Sequence, residues 1–201
     1  MLARFLRFLP IVNKSQLLNQ KKMKLLIFST FLIMMISPNY EIDFGQKTGG
    51  QDWQIINDGV MGGLSKGQVE ISEETLIFKG TVSLENNGGF TSLRGPYQNY
   101  DLSNFETLTI KYKSTGQDIA FRMKLHERWY MPYFKANLRS TDNEWQTVSI
   151  PLKDFEQYRV GDATGQKMSP KDLANVIGLG FITNSKKASA FQFEVDFIRF
   201  D

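Results

Sequence analysis

Residues 107–126 read TLTIKYKSTGQDIAFRMKLH and contain the clearest structural signal in the sequence. Apolar side chains alternate with polar ones from Leu108 to Tyr112 and again from Ile119 to Leu125, with the turn-forming stretch 114–117 between them. Successive side chains of a strand point to opposite sides, so an alternation with period two is typical of a β-strand with one buried face. The stretch therefore predicts a hairpin whose two strands share one buried face.

The same alternation recurs along residues 41–201. Further strand candidates are 68–71, 75–79, 81–85, 90–94, 130–136, 145–150, 176–183 and 191–200. In the last of these the apolar residues change sides between Phe197 and Ile198, which predicts either a bulge or a segment covered on both sides. The best helix signal covers only residues 169–175, where Ser169 can cap and Pro170 suits the first helical position. Many short strands with few helices predict an all-β fold, a two-sheet jelly-roll-like sandwich formed by residues 41–201 as one domain.

Residues 1–40 form a leader of different composition, with six Lys or Arg and no acidic residue. Within its segment 23–38, an apolar run from Leu25 to Ile36 follows a basic stretch, which resembles a secretory signal and is short for a membrane span. We expect export, or membrane anchoring through Leu25–Ile36 if the leader is not cleaved. Residues 1–22 also fit a mitochondrial presequence or an upstream extension before a start at Met23, so a mitochondrial location is the alternative.

Composition excludes several classes of function. Six of the 24 Lys and Arg residues lie in the leader, so residues 41–201 carry 18 of them beside 21 acidic residues, a formal charge of −3. That balance argues against a nucleic-acid partner. The chain has no cysteine and a single histidine, His126, which excludes disulfides, thiolate nucleophiles and multi-histidine metal sites. We expect no cofactor.

Residues 57–65, NDGVMGGLS, are called the Asp58 loop below. Three glycines in nine residues indicate a backbone path that other residues adopt poorly. Their spacing is not that of a dinucleotide-binding fingerprint, and a strand pattern follows them instead of a helix. A second glycine pair, Gly178 and Gly180, is followed by a turn, so both groups of glycines are predicted to serve backbone geometry.

Two stretches resemble the thirty-kilodalton complex I intermediate-associated protein family. They are WQIINDGVMGGLSKGQVEI from Trp53 and LIFKGTVSLENNGGFTSLRGP from Leu76. The motif residues are Trp53, the run Asp58–Gly63 with Ser65, and the run Gly88–Phe90 with Ser92 and Arg94. Downstream, residues 145–155, 177–180 and 193–198 also fit, so the resemblance covers about residues 43–201.

The resemblance implies a galactose-binding-like β-sandwich related to carbohydrate-binding modules. Members of the family help to assemble mitochondrial complex I in a chaperone-like manner. We therefore expect a non-enzymatic binding module whose partner is a protein assembly intermediate. The alternative is a carbohydrate-binding module of an exported protein, with a glycan as ligand.

The first candidate site is the Asp58 loop together with the segment that follows Asn87. Its members are Asp58, Gly59, Met61, Gly62, Gly63, Ser65, Gly88, Gly89, Phe90 and Arg94. In a structural role, the Asp58 carboxylate accepts hydrogen bonds from amides two residues ahead and Met61 fills the end of the sandwich. In a binding role, the loop presents its backbone amides to an acidic group of a partner.

The second candidate site is a face of the predicted hairpin. Arg122, Lys124 and His126 alternate away from the apolar row and are expected to face solvent. Trp129, Tyr130 or Tyr133, together with Trp145, are expected to join them. Aromatic rings beside hydrogen-bonding side chains suit both sugars and protein interfaces. The alternative places some of these rings in the core and leaves the charges as a solvated surface.

Catalysis has little support in the sequence. A hydrolytic triad would depend on His126, and no nucleophile-elbow sequence is present. Acidic pairs such as Asp154 and Glu156 lie in turn-like stretches. Asp43 and Asp196, near the two ends of the domain, are conceivable calcium ligands, but two carboxylates are too few to predict a site.

Overall fold

The computed structural model describes residues 39–45 and 47–201, with the backbone alone at Val60 and Met61. The predictions for the leader and for the Met61 side chain lie outside this part. The strands are β1 Tyr40–Asp43, β2 Gln54–Asn57, β3 Lys66–Ile71, β4 Leu76–Val82, β5 Thr91–Arg94, β6 Thr107–Thr115, β7 Ile119–Lys124, β8 Tyr133–Leu138, β9 Gln146–Pro151, β10 Glu156–Arg159, β11 Asp162–Lys167, β12 Gly178–Thr183 and β13 Ser189–Phe200. One short helix, α1, covers Pro170–Leu173.

These strands form two antiparallel sheets, which confirms the predicted all-β sandwich. The six-stranded sheet has the order β3–β4–β13–β6–β9, with β1 also paired to β13. The seven-stranded sheet has the order β11–β10–β8–β7–β12–β5–β2. No helix in residues 39–45 and 47–201 is long and apolar enough to span a membrane.

Aromatic side chains fill the space between the sheets. Phe121 and Phe181 of the seven-stranded sheet contact Phe200 and Phe193 of the six-stranded sheet, with ring centroids 6.4 and 4.8 Å apart. All four rings are fully buried. Aromatic pairs of this kind contribute about 0.5–1.5 kcal/mol each beyond the burial of their area, so they fix how the sheets pack.

The prediction that residues 107–126 form a hairpin is wrong. Strand β6 pairs with β13 and β9, whereas β7 pairs with β12 and β8, so the chain passes from one sheet to the other between them. The turn contains Gly116, whose φ is +85° and where a Cβ would collide with the carbonyl oxygen of Ala190. Both apolar rows face the shared core, because periodicity identifies the buried face of a strand and not its neighbour.

The other local predictions have mixed outcomes. The pairing of β13 with β6 shifts between Val195 and Phe197, which confirms the bulge. Ser169 caps α1, as predicted, and the structure adds a capping box with Asp172. The candidates 75–79 and 81–85 are one strand, β4, because Gly80 continues the pairing with β13 and β3. Strands β1, β2, β10 and β11 were not predicted.

Candidate functional site

The carboxylate of Asp58 joins the two motif segments. Its Oδ2 accepts hydrogen bonds from Ser65 Oγ at 2.6 Å, from the Gly89 amide at 2.7 Å and from the Phe90 amide at 3.2 Å. Its Oδ1 accepts one from the Ser65 amide at 3.1 Å. The prediction that Asp58 bonds amides two residues ahead is wrong, because the amides it bonds are seven, 31 and 32 residues ahead.

Asp58 is charged although it is buried. Only 2% of the residue is exposed, and burial alone would raise its pKa. The hydrogen bonds from Ser65, Gly89 and Phe90 outweigh burial, so the pKa of Asp58 lies below its ordinary value of 3.8. The carboxylate therefore holds the loop together as a charged acceptor.

The glycines around Asp58 have separate roles. Gly62 has φ +86°, a conformation that favours glycine, whereas a Cβ at Gly63 would collide with the Asp58 carboxylate. A Cβ at Gly88 would lie 2.7 Å from Asp58 Oδ2. Gly59 has neither a positive φ nor an atom within 4 Å of a built Cβ. The loop geometry thus depends on three of these glycines and not on Gly59.

A second group of polar residues lies on the outer face of the seven-stranded sheet, the side away from Phe121 and Phe181. Cross-strand neighbours share a face, and the register places six residues in one row across the sheet. The row is Gln54, Arg94, Gly180, Arg122, Lys135 and Glu156. The adjacent row contains Gly178, Lys124, Tyr133 and Tyr158. The surface formed by Arg94, Arg122, Lys124 and Lys135 is called the cationic sheet face below.

Arg122 and Lys124 are each only 7% exposed, so the prediction that they face solvent freely is wrong. The Arg122 guanidinium lies over the Tyr133 ring, with Cζ 5.3 Å from the ring centroid. Lys124 Nζ lies 5.0 Å from the centroid of Tyr97 and donates a hydrogen bond to its hydroxyl at 2.5 Å. Neighbouring rings, which the sequence alternation does not reveal, cover these cations.

The glycine pair in β12 makes room for this cover. A Cβ at Gly178 would lie 3.0 Å from Cε1 of Tyr97, and a Cβ at Gly180 would lie 3.7 Å from Cγ of Arg94. Both side chains therefore lie close to the backbone of β12. Gly178 allows the close approach of Tyr97, whereas Gly180 allows that of the Leu93 carbonyl oxygen, which would lie 2.7 Å from a Cβ. Both positions agree with the prediction of a backbone role.

The cations repel one another in a poorly hydrated environment. Burial, followed by repulsion from Arg94, lowers the pKa of Arg122 to about 10. Burial, followed by repulsion from Arg122 and Arg94, lowers the pKa of Lys124 to about 8. Burial, followed by repulsion from Lys186 and Arg122, lowers the pKa of Lys135 to about 8. At neutral pH all three side chains remain largely charged.

The two sheets differ in how they neutralise their cations. All ion pairs among the described residues lie on the six-stranded sheet or at its ends: Lys79–Glu70, Lys111–Asp196, Lys113–Glu194, Arg199–Glu41 and Arg199–Asp201. None of these pairs includes a member of the cationic sheet face. The seven-stranded sheet therefore carries a local excess of positive charge, although residues 41–201 as a whole are slightly acidic.

The remaining predicted face residues are dispersed. His126, Trp129 and Tyr130 follow β7 in an exposed loop, where Trp129 is 65% exposed and packs edge-on against Tyr130. Trp145 lies on the six-stranded sheet, 4.9 Å from Lys113 Nζ and 5.6 Å from Lys111 Nζ. The prediction that Trp145 joins Arg122 and Lys124 is therefore wrong, because Trp145 directly precedes β9 and lies against two lysines of β6, both strands of the other sheet.

Three residues of this surface were missed from the sequence: Lys135, which belongs to the cationic sheet face, and Tyr97 and Tyr158, whose rings lie against its lysines. Lys135 pairs with Arg122 across β7 and β8, and the alternation of 130–136 carried enough signal to suggest this. Tyr97 and Tyr158 lie in segments without a strand pattern, and no local signal indicated them. Arg94, which was grouped with the Asp58 loop, lies instead beside Gly180 on the cationic sheet face.

Metal binding has no support in the described part of the chain, where no group of three or more His, Asp or Glu side chains is placed to hold an ion. Asp196, one of the two conceivable calcium ligands, pairs with Lys111 at 2.6 Å. Asp43 lies in β1 opposite Phe197.

Comparison with known families decides the classification. The family model for complex I intermediate-associated protein 30 (CIA30) matches residues 42–195. The chain belongs to the CIA30 family. None of the curated proteins compared with this chain gives a significant match.

Solved structures similar to this CIA30 domain are β-sandwiches. The family 11 carbohydrate-binding module of the cellulase Lic26A-Cel5E of Clostridium thermocellum has a TM-score of 0.61 and 18% identity, covering 82% of this chain and 95% of that chain. The same family's module from that organism, in complex with a β-1,3-1,4-mixed-linked tetrasaccharide, has a TM-score of 0.58 and 20% identity, covering 80% and 94%. A family 30 carbohydrate-binding module has a TM-score of 0.51 and 18% identity, covering 81% and 98%. Identities this low show a shared fold.

Proposed function

We propose that this CIA30 domain is a non-enzymatic, chaperone-like binding module that holds a protein intermediate during assembly of complex I. The family match over residues 42–195 carries this proposal. The outer face of the seven-stranded sheet is the proposed contact surface. It combines buried cations with Tyr97, Tyr133 and Tyr158, and aromatic and arginine side chains dominate the energy of many protein interfaces.

The Asp58 loop has a supporting role in this proposal. Its carboxylate uses both oxygens to bond groups of the domain itself, which leaves few free acceptors for a partner. The location belongs to the same proposal: export or membrane attachment through Leu25–Ile36, with mitochondria as the alternative. Detection of the chain in membrane, soluble and mitochondrial fractions of its host separates these locations.

Affinity capture tests the assembly role. The full chain, expressed at its native level with a C-terminal tag, is crosslinked in cells, purified and analysed by mass spectrometry. We expect enrichment of NADH:ubiquinone oxidoreductase subunits over a tagged control protein. Absence of these subunits from repeated captures, with normal activity of that enzyme in cells lacking the chain, refutes the proposal.

Carbohydrate binding is the second candidate. The presence of three tyrosine rings on one sheet face favours it, because sugars stack on aromatic rings. The fold, shared with carbohydrate-binding modules, is compatible with it. A glycan array probed with the full chain tests this candidate. Binding to a defined glycan without capture of respiratory subunits would favour it over the assembly role.

A further inference from the structure

Arg122 carries a buried donor that the domain does not satisfy. Its Nη2 atom is buried and has no hydrogen-bond partner among the described residues. Arg122 belongs to β7, a central strand of the seven-stranded sheet. A buried polar group without a partner is costly, and the cost is larger for a charged group. Such an atom in a native structure calls for a compensating partner.

Among the described residues, no carboxylate forms an ion pair with Arg122. Arg94 and Arg122 flank Gly180 in the same row, so β12 adds no side chain between them. The acidic groups whose charge acts on the two lysines are Glu127, for Lys124, and Glu156, for Lys135. Neither forms an ion pair within 4 Å in the described chain. Adding an external anion therefore relieves both the repulsion and the unmet hydrogen bond.

We infer that the cationic sheet face binds carboxylates of an acidic segment in the protein partner, with Arg122 as the central ligand. This inference rests on the proposed assembly function and names the chemistry of its contact. The guanidinium fork matches a carboxylate through two parallel hydrogen bonds, and Lys124 and Lys135 add charge on the neighbouring strands.

The cations that lie over the tyrosine rings favour an acidic peptide over a neutral sugar. Arg122 lies on Tyr133, Lys124 on Tyr97 and Lys135 on Tyr158, with the last pair only 3.9 Å apart. Tyr133 and Tyr158 also stack on each other, with centroids 6.2 Å apart. The domain's own side chains thus occupy much of the ring surface that a sugar would need for stacking. What the cationic sheet face still offers to a ligand is its unpaired positive charge.

Arg94 lies at the edge of the cationic sheet face and also lines a pocket. An open pocket of about 420 Å³ is lined by Asp52, Gln54, Ile56, Arg94, Gly95, Pro96 and Tyr97. Arg94 and Tyr97 line this pocket, and Arg94 lies across Gly180 from Arg122. The inferred binding mode requires these two side chains to move so that a partner's side chain can reach Arg122. A carboxylate on a flexible Asp or Glu side chain is narrow enough for such an approach.

The experiment uses the purified full chain and a hexaglutamate peptide, with binding measured by isothermal titration calorimetry. The variant Arg122→Met should weaken binding by about ten- to a hundredfold, since hydrogen bonds to charged groups are the strong ones. Its melting temperature should be unchanged or higher, because the variant removes a buried, unpaired charge. Arg199→Met is the matched control: it removes an arginine paired with Glu41 and Asp201 on the other sheet, and it should bind the peptide as the wild type does.

Control ligands and a replacement variant test the competing explanations. All variants contain the basic leader, so only differences between them count, and hexaglutamine serves as the uncharged peptide. Equal binding by Arg122→Met and the wild type, or equal binding of hexaglutamine, overturns the inference. So does tighter binding of polygalacturonate or of neutral mixed-linked β-glucan than of the peptide. If Arg122→Met does not fold, Lys124→Met replaces it with the same expected loss.

The site and the proposed function can fail separately. If both the wild type and Arg122→Met capture complex I subunits, the carboxylate site is wrong and the assembly role stands. If Arg122→Met loses the peptide while the wild type captures no such subunits, the site stands and the assembly role is wrong.

Discussion

Asp58 Oδ2 accepts a hydrogen bond from the Gly89 amide at 2.7 Å, and this bond joins two motifs whose residues are 31 positions apart in the sequence. The same oxygen also accepts from Ser65 Oγ, so one carboxylate connects three segments. We predict that Asp58→Ala lowers the free energy of unfolding by about 2–4 kcal/mol, because it leaves several buried donors without an acceptor. Urea denaturation of the variant and the wild type measures this difference.

The loss of stability at low pH is a second test of the role of the Asp58 carboxylate. The folded pKa of Asp58 is lower than its ordinary value, so its stabilisation is present above about pH 4 and is lost as the pH falls through the folded pKa. Asp58→Asn should flatten this loss. A variant that unfolds in acid just as the wild type does would show that the charge of Asp58 contributes little.

Three glycines of the Asp58 loop should respond differently to alanine. Gly63→Ala should cost the most, about 2 kcal/mol or more, since its Cβ collides with the Asp58 carboxylate. Gly62→Ala should cost about 1–2 kcal/mol through its φ of +86°. Gly59→Ala is the matched control and should be neutral within about 0.5 kcal/mol. Thermal melting of the three variants tests the order, and equal losses at all three positions would contradict it.

Alternation in the sequence was sufficient for the fold class. It located most strands of both sheets and the core face of the two strands in residues 107–126, because burial on one side imposes a period of two. It could not assign partners: β6 and β7 share a core and not a sheet. The missed strands are short or exposed, and all six residues of β11 are exposed, so no buried face imprints a pattern there.

The candidate site was predictable only in part. Arg122 and Lys124 were selected because they lie opposite the apolar row, and the structure keeps them together on one sheet face. Their burial depends on Tyr97 and Tyr133, which reach them from other segments of the chain. Trp145 was grouped with them because it is aromatic and alternates away from Val148 and Ile150, but it lies over the six-stranded sheet.

The position of Trp145 makes a testable contrast with Arg122. Trp145→Ala should leave capture of the partner and binding of hexaglutamate unchanged, because Trp145 contacts Lys111 and Lys113 on the six-stranded sheet. Its stability loss should be about 0.5–1 kcal/mol, the scale of an exposed cation–π contact. Weakened capture in this variant, measured beside Arg122→Met, would move the contact surface to the other sheet.

Above neutral pH, the stability of the domain depends on Lys124 and Lys135, whose pKa values are lowered, and on the groups that surround them. Lys124 is affected by Arg122, Arg94 and Glu127, and its ammonium bonds the Tyr97 hydroxyl. For Lys135, the corresponding groups are Lys186, Arg122 and Glu156. Its ammonium lies over Tyr158 and bonds Asn184. Tyr133 and Tyr158 have raised pKa values, chiefly through burial, so they oppose the lysines only above about pH 10.

Stability should therefore rise from about pH 8 to pH 9.5. In this window the folded lysines, with pKa values of about 8, release protons that the unfolded chain, near 10.5, still binds. Binding of hexaglutamate should weaken over the same window, because the face loses charge. Chemical denaturation and calorimetry at half-unit pH steps measure both trends.

In Arg122→Met the rise in stability should begin at higher pH, since the repulsion that lowers the Lys124 pKa is reduced. Stability that is flat over this window in the wild type, or that rises equally in a Lys124→Met/Lys135→Met double variant, would assign the titration to other groups.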